Sequence, residues 1–258
     1  MEYHANDWLG RWQNFEAYLT SSDPYLTRAW QDAETAAAAM PMFCGGVKVF
    51  WQRACVTTSP ENPHTLGGWN ITLAVGEKLC IEWLDEDGAS LGKAVYHLES
   101  VLEKGLEGKE NALFVAEDMP ENWPFRCLLA MEPMPPRTAR QTGGLLSHLH
   151  FQYASQRNLL VDPETQKLHN PMWYATVCDG DGTLLEKCNI VRALHRLPLW
   201  AELPGEIKKK GLLHSPPQKR KDRSKSPKRL FFFLLHHKSD PHSPFNSVFA
   251  AVGIAFSQ

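Results

Sequence analysis

The stretch WNITLAVGEKLCIEWLDEDGASLGKAVYHL, residues 69–98, decides the fold class of this chain. It holds three runs rich in β-branched and aromatic residues, which we expect to form strands near 69–75, 79–84 and 94–98. Between the last two runs, Asp85-Glu86-Asp87-Gly88 supplies the Asp-Gly chemistry that permits positive φ in a tight turn. The stretch therefore predicts consecutive antiparallel strands joined by short turns.

Similar runs recur along the rest of the chain up to about residue 194. Further strands are expected near 47–56, 112–116, 125–131, 146–154, 173–177 and 189–194. A second hairpin turn is expected at Asp179-Gly180-Asp181-Gly182. Nearly ten short strands without intervening helices favour a mainly β fold, an antiparallel barrel or sandwich, over any βαβ arrangement. A barrel covered by helices fits best.

Two N-terminal helices are expected to cover this barrel. Trp8, Trp12, Phe15 and Leu19 recur at steps of four, three and four, which predicts one helix with an apolar stripe. A second helix is expected to begin with Ser22 or Asp23 as N-cap and Pro24 just inside it, and to reach the alanine block at 36–39.

The charge is divided unevenly along the chain. Residues 206–258 contain 11 Lys and Arg against 3 Asp and Glu, a net charge of +8, whereas residues 1–205 contain 16 against 26, a net charge of −10. We therefore divide the chain into a helix-capped barrel domain, 1–205, and a basic, largely disordered tail, 206–258. The acidic domain favours cations as partners, and the tail is expected to contact polyanions.

The sequence predicts neither a targeting signal nor a membrane-spanning segment. Its first residues lack a basic start and an apolar run, so no signal peptide is expected, and no 18-residue apolar stretch predicts a membrane span. The six cysteines lie far apart with no CxxC pair, which indicates reduced structural thiols. We expect a cytoplasmic protein, with nuclear placement as the alternative that the basic tail suggests.

One strand carries the residues most suited to metal chemistry. Residues 147–153, SHLHFQY, alternate polar and apolar, so His148 and His150 should project from one face about 7 Å apart. Two imidazoles on one face can bind one ion, although an HxH pair is also common on strands without a metal. A third ligand is required, and the candidates are Glu132, just after the preceding strand, and His97.

Several segments resemble one known family, the ZinT/YodA-type zinc-binding calycin (lipocalin-like) proteins of bacteria. Residues 8–19, WLGRWQNFEAYL, are similar to the W-x-G-x-W-x-[SN] opening of that family. Residues 147–151, SHLHF, with Ser155-Gln156 and Leu159-Leu160 behind them, resemble its S-H-F-H strand and the S-Q-x-x-L-L segment that follows. Weaker likenesses lie at 96–118 and 170–174, so the resemblance runs thinly from residue 8 to about 178.

The resemblance implies a calycin-like barrel with zinc held near one mouth by three histidines. Two of them correspond to His148 and His150, whereas the segment that corresponds to the third, AMEPMPP at 130–136, contains no histidine. Either Glu132 substitutes as a carboxylate, which zinc accepts and which calcium or magnesium would prefer, or the metal site is degenerate.

These observations favour a non-enzymatic metal-binding protein. The expected ion is zinc, held at a barrel rim by His148 and His150 with Glu132 or His97 as a further donor. The alternative is a calycin-type carrier whose barrel holds a small apolar ligand and no metal. The hypothesis of an enzyme has the least support, because the sequence offers no set of nucleophile, base and orienting group.

Overall fold

The computed structural model describes residues 3–139 and 145–205, and the predicted basic tail lies outside them. Eight strands form a closed barrel in which each strand pairs with the next and β8 pairs with β1, all antiparallel. The strands are β1 (Gly10–Asn14), β2 (Leu66–Leu73), β3 (Leu79–Asp85), β4 (Ser90–Leu102), β5 (Asn111–Ala116), β6 (Cys127–Met131), β7 (His148–Ala154) and β8 (Ala175–Asp179). The helices are α1 (Glu16–Thr20), α2 (Pro24–Ala37), α3 (Val47–Ala54) and α4 (Leu184–Leu194). The predicted mainly β, antiparallel barrel is confirmed.

The stretch at residues 69–98 forms the β2, β3 and β4 part of this barrel, as predicted. The turn after β3 is closed by the Asp85 N–H, which donates to the Ala89 carbonyl oxygen at 2.9 Å. Gly88 adopts a φ of 81° there, a conformation that glycine reaches without the steric cost of a Cβ. The helix α2 also begins as predicted, because the Asp23 carboxylate accepts from the backbone N–H groups of Tyr25 and Leu26.

The single helix expected over residues 8–19 is wrong. The chain forms β1 there and then the short helix α1. In β1, Trp12 lies opposite Trp69 of β2 and Asp179 of β8, so this strand closes the barrel. A spacing of four residues fits both a helix and one face of a strand, and the hydrogen bonds offered by two neighbouring strands decide between them.

Two expected strands, near 47–56 and 189–194, are also wrong, since α3 and α4 occupy these segments. The start of α4 is stabilised by a capping box, in which the Thr183 hydroxyl accepts from the Glu186 N–H and the Glu186 carboxylate accepts from the Thr183 N–H. Residues 179–182 therefore connect β8 to α4 and form no hairpin. In α3, the buried residues Val47, Trp51 and Ala54 follow a helical spacing.

The barrel interior is filled with large aromatic side chains. Trp83 is fully buried, stacks on Phe125 with ring centroids 4.5 Å apart and meets Trp69 edge-on at 5.0 Å. Its Nε1–H donates to the Tyr96 hydroxyl at 2.9 Å. Outside the barrel, side chains of α2, α3 and α4 form a second apolar cluster with Leu146 and Cys178. In the described part of the chain, no helix combines the length and the apolar character needed to cross a bilayer.

Candidate metal centre

His148 and His150 project from the same face of β7, as the alternating pattern predicts. Leu149, Phe151 and Tyr153 belong to the interior cluster, so the two imidazoles lie on the outer face of the barrel wall. Their ring centroids are 5.6 Å apart, and both residues are buried, with exposed fractions of 7% and 6%. The pair therefore lies at the start of β7, near one end of the barrel but outside its wall.

The helices bury this face of the wall. On β8, Cys178 lies opposite His148 and Thr176 lies opposite His150. A cavity of about 10 Å³, just large enough for one water molecule, touches both imidazoles. The other side chains around it are Phe15, Trp51, Cys55, Thr176, Cys178, Ile190 and Leu194.

The carboxylate that faces the pair comes from Glu107, in the loop between β4 and β5. Its Oε1 lies 3.5 Å from the His150 Nε2, and its Oε2 lies 3.1 Å from the Lys109 Nζ. Glu107 is held at a left-handed φ of 55°, and the preceding Leu106 N–H donates to the Asn111 side-chain oxygen. Such a backbone conformation costs free energy for a residue with a Cβ. Contacts made by the surrounding loop therefore hold Glu107 in this conformation.

The hydrogen bonds around His150 determine which ring nitrogen carries its proton. The Thr176 hydroxyl donates to the Tyr174 carbonyl oxygen at 2.6 Å, so its oxygen is left to accept from the His150 Nδ1–H at 2.7 Å. We assign the proton to Nδ1 on this ground, which leaves the Nε2 lone pair directed at the Glu107 carboxylate. Two hydrogen-bond acceptors facing each other repel unless a positive charge lies between them.

Burial keeps both imidazoles neutral. Burial, reinforced by the neighbouring His150, lowers the pKa of His148 to about 4, and burial also lowers the pKa of His150 below its ordinary value. The pKa of Glu107 lies below its ordinary value: burial raises it, and the positive charge of Lys109, which donates to the carboxylate, lowers it. At neutral pH the centre therefore combines two neutral imidazoles with one ionised carboxylate.

Of the two third ligands expected from the sequence, His97 lies away from the pair and Glu132 lies in a groove beside it. The His97 side chain is 43% exposed on β4, three strands away from β7, and its Nδ1 lies 3.4 Å from the Glu117 Oε1. It is therefore not brought to the pair. Glu132 follows β6 and lines a surface groove with Lys109 and Met134. The carboxylate that faces His150 belongs instead to Glu107, which the sequence did not indicate, because no spacing rule links the β4–β5 loop to β7.

The donor types fit zinc, but their present arrangement is not a formed site. Two histidines and a glutamate are a combination that zinc uses in proteins. Within residues 3–139 and 145–205, however, no three His, Cys, Asp or Glu side chains are already placed so that they could hold one metal ion. Metal binding would therefore require side chains to rotate.

Comparison of the chain with known proteins adds no information about this centre. No protein-family model matches the chain, and no curated protein or solved structure shows significant similarity to it.

The lowered pKa of His148 predicts a loss of stability in acid. A histidine that is neutral in the folded chain stabilises the fold fully above its unfolded pKa of about 6.5, and this contribution is lost as the pH falls toward the folded value of about 4. We expect a loss of about 3 kcal/mol by pH 4 from this residue, and His150 acts in the same direction. Urea unfolding at pH 7.5 and pH 4.5 measures it.

The matched variant for this measurement is His148→Gln, which removes the titrating group and keeps a polar side chain of similar size. The difference in unfolding free energy between the two pH values should shrink by about 2–3 kcal/mol in this variant. The exposed His64→Gln serves as the control and should leave the difference unchanged. An equal pH dependence in wild type and His148→Gln would show that His148 is not buried as a neutral group.

Proposed function

We propose that this protein binds a divalent transition-metal ion, zinc in the first place, through His148, His150 and Glu107. The observation that carries the proposal is the contact between the His150 Nε2 and the Glu107 Oε1 at 3.5 Å. A cation between the lone pair and the carboxylate would turn a repulsive contact into two favourable ones. A proton is the other possible occupant, but burial opposes the protonation of His150.

The separation of these two donors supports the same proposal. At 3.5 Å the contact is long for a hydrogen bond between nitrogen and oxygen. Two donors that each lie about 2.0–2.1 Å from a tetrahedral zinc ion are roughly 3.3–3.4 Å apart. The distance between Nε2 and Oε1 is therefore close to that of two zinc ligands.

Both imidazoles have the supporting hydrogen bonds that metal-binding histidines use. His150 donates from Nδ1 to Thr176, which leaves Nε2 available to an ion. His148 forms a hydrogen bond with the backbone of Leu146. Such bonds fix the tautomer and the ring orientation of a ligand, and rotation of the His148 and Glu107 side chains would complete a three-ligand set with water as the fourth ligand.

Zinc titration of the full-length chain by calorimetry tests this proposal. We expect one ion per chain in the wild type and an affinity about 10–100-fold weaker in Glu107→Gln, since the neutral amide is a poor zinc ligand. Glu132→Gln is the matched control, because it makes the same change in the nearby groove, and its zinc affinity should stay within about threefold of the wild type. Absence of stoichiometric binding in the wild type, or a loss in Glu132→Gln but not in Glu107→Gln, would contradict the assignment.

A further inference from the structure

A surface groove of about 400 Å³ lies beside the candidate metal centre. Its side chains include three glutamates, two methionines and one lysine: Glu103, Glu110, Glu132, Met131, Met134 and Lys109. Three carboxylates around one groove would raise the local concentration of cations. These carboxylates therefore favour the approach of a cation through the groove, and Lys109 is the residue in the groove that opposes it.

Lys109 connects the groove to the buried carboxylate. Its Nζ lies 3.1 Å from the Glu107 Oε2 and donates to the Met134 Sδ at 3.5 Å. The other oxygen of the same carboxylate faces His150. Glu107 is thus shared between an ammonium group on the groove side and an imidazole on the barrel side.

We propose that Lys109 is a specificity-determining residue of the metal centre, which holds one oxygen of Glu107 and so selects ions that prefer imidazole over ions that prefer oxygen. This inference rests on the proposed function. With Oε2 occupied by the ammonium group, Glu107 can offer an incoming ion only Oε1. The charges of Lys109 and Glu107 also cancel, so the centre presents two neutral imidazoles and no net negative charge.

The chemistry of the ions explains the selection. Calcium, magnesium and, to a smaller degree, manganese depend on several charged oxygens, often on both oxygens of one carboxylate. Zinc gains most of its binding from nitrogen ligands and needs one oxygen at most in such a set. An ammonium group on Glu107 therefore weakens the binding of every divalent cation by repulsion, and it additionally denies oxygen-preferring ions the bidentate carboxylate.

Metal titration of full-length Lys109→Met tests the inference, with Zn²⁺ and Mn²⁺ as the ions. Lys109 is partly screened by solvent, and removing its positive charge about 6 Å from a divalent ion should tighten Zn²⁺ binding by about tenfold or more. Mn²⁺ binding should tighten by a larger factor, because both oxygens of Glu107 become available, so the preference for Zn²⁺ over Mn²⁺ should fall. Lys109→Arg keeps the charge, but its planar guanidinium can hold both oxygens of Glu107, so it should bind both ions no more tightly than the wild type.

Lys104→Met is the matched control, since it removes one positive charge from an exposed lysine near the same loop. It should change neither affinity by more than about twofold. If the wild type binds Zn²⁺ through Glu107 and Lys109→Met leaves both affinities unchanged, the role of Lys109 is overturned and the metal site stands. If neither the wild type nor Lys109→Met binds either ion, both proposals are overturned.

Discussion

Replacing His148 and His150 together by glutamine should abolish stoichiometric zinc binding. The two imidazoles supply two of the three proposed protein ligands, and the carboxylate of Glu107 alone cannot hold zinc at micromolar concentrations. We expect the affinity to fall by roughly a thousandfold or more, equivalent to about 4 kcal/mol. Calorimetry with the full-length chain measures it, and circular dichroism establishes that the variant is folded.

His64→Gln/His169→Gln is the matched control for this variant. It also removes two imidazoles, but both belong to exposed residues far from β7 in the chain. We expect this control to bind zinc as the wild type does. If the control loses as much affinity as the His148→Gln/His150→Gln variant, then zinc binds to scattered surface histidines, and the buried pair is not a site.

Trp83→Ala should destabilise the barrel by about 3–5 kcal/mol, the cost typical of removing a large buried aromatic side chain. Trp83 is 0% exposed and contacts the rings of Phe125, Trp69 and Tyr153. Its loss would also leave the Tyr96 hydroxyl without the bond from Nε1. Urea unfolding in neutral buffer measures the effect as a shift of the midpoint at constant slope.

Trp200→Ala is the control for the same substitution outside the barrel. Trp200 is partly buried and packs under the Arg192 guanidinium at 4.6 Å, so we expect a cost of about 1–2 kcal/mol. An equal cost for the two variants would indicate that the barrel interior is loosely filled. That outcome would support the carrier alternative, in which the barrel interior holds a small apolar ligand.

Local patterns in the sequence were enough to predict both the β2–β4 meander and the shared face of His148 and His150. Side chains alternate along a strand, and Asp-Gly turns are local features, so neighbouring residues contain the information. The capping box of Thr183 and Glu186 was also present in the sequence, and giving it more weight would have identified α4. The failure at β1 was different, because the spacing of Trp8 and Trp12 fits either structure.

The carboxylate that faces His150 could not be found from the sequence. Glu132 lies closer to His148 along the chain than Glu107 does, yet it lines the groove. Glu107 faces His150 because the β4–β5 loop extends past β6 to the outer face of β7, a contact between residues 43 positions apart. No local pattern encodes such a contact.

By itself, therefore, the sequence determined a mainly β antiparallel barrel, the helix α2 with its cap at Ser22 or Asp23, and two imidazoles on one face of a strand. Only the tertiary structure decided that β1 closes the barrel, that the histidines lie outside its wall beneath α3 and α4, and that Glu107 and Lys109 stand beside them. The physical reason is that turns, caps and strand alternation depend on neighbours within a few residues, whereas barrel closure and the meeting of distant loops depend on long-range hydrogen bonds and packing.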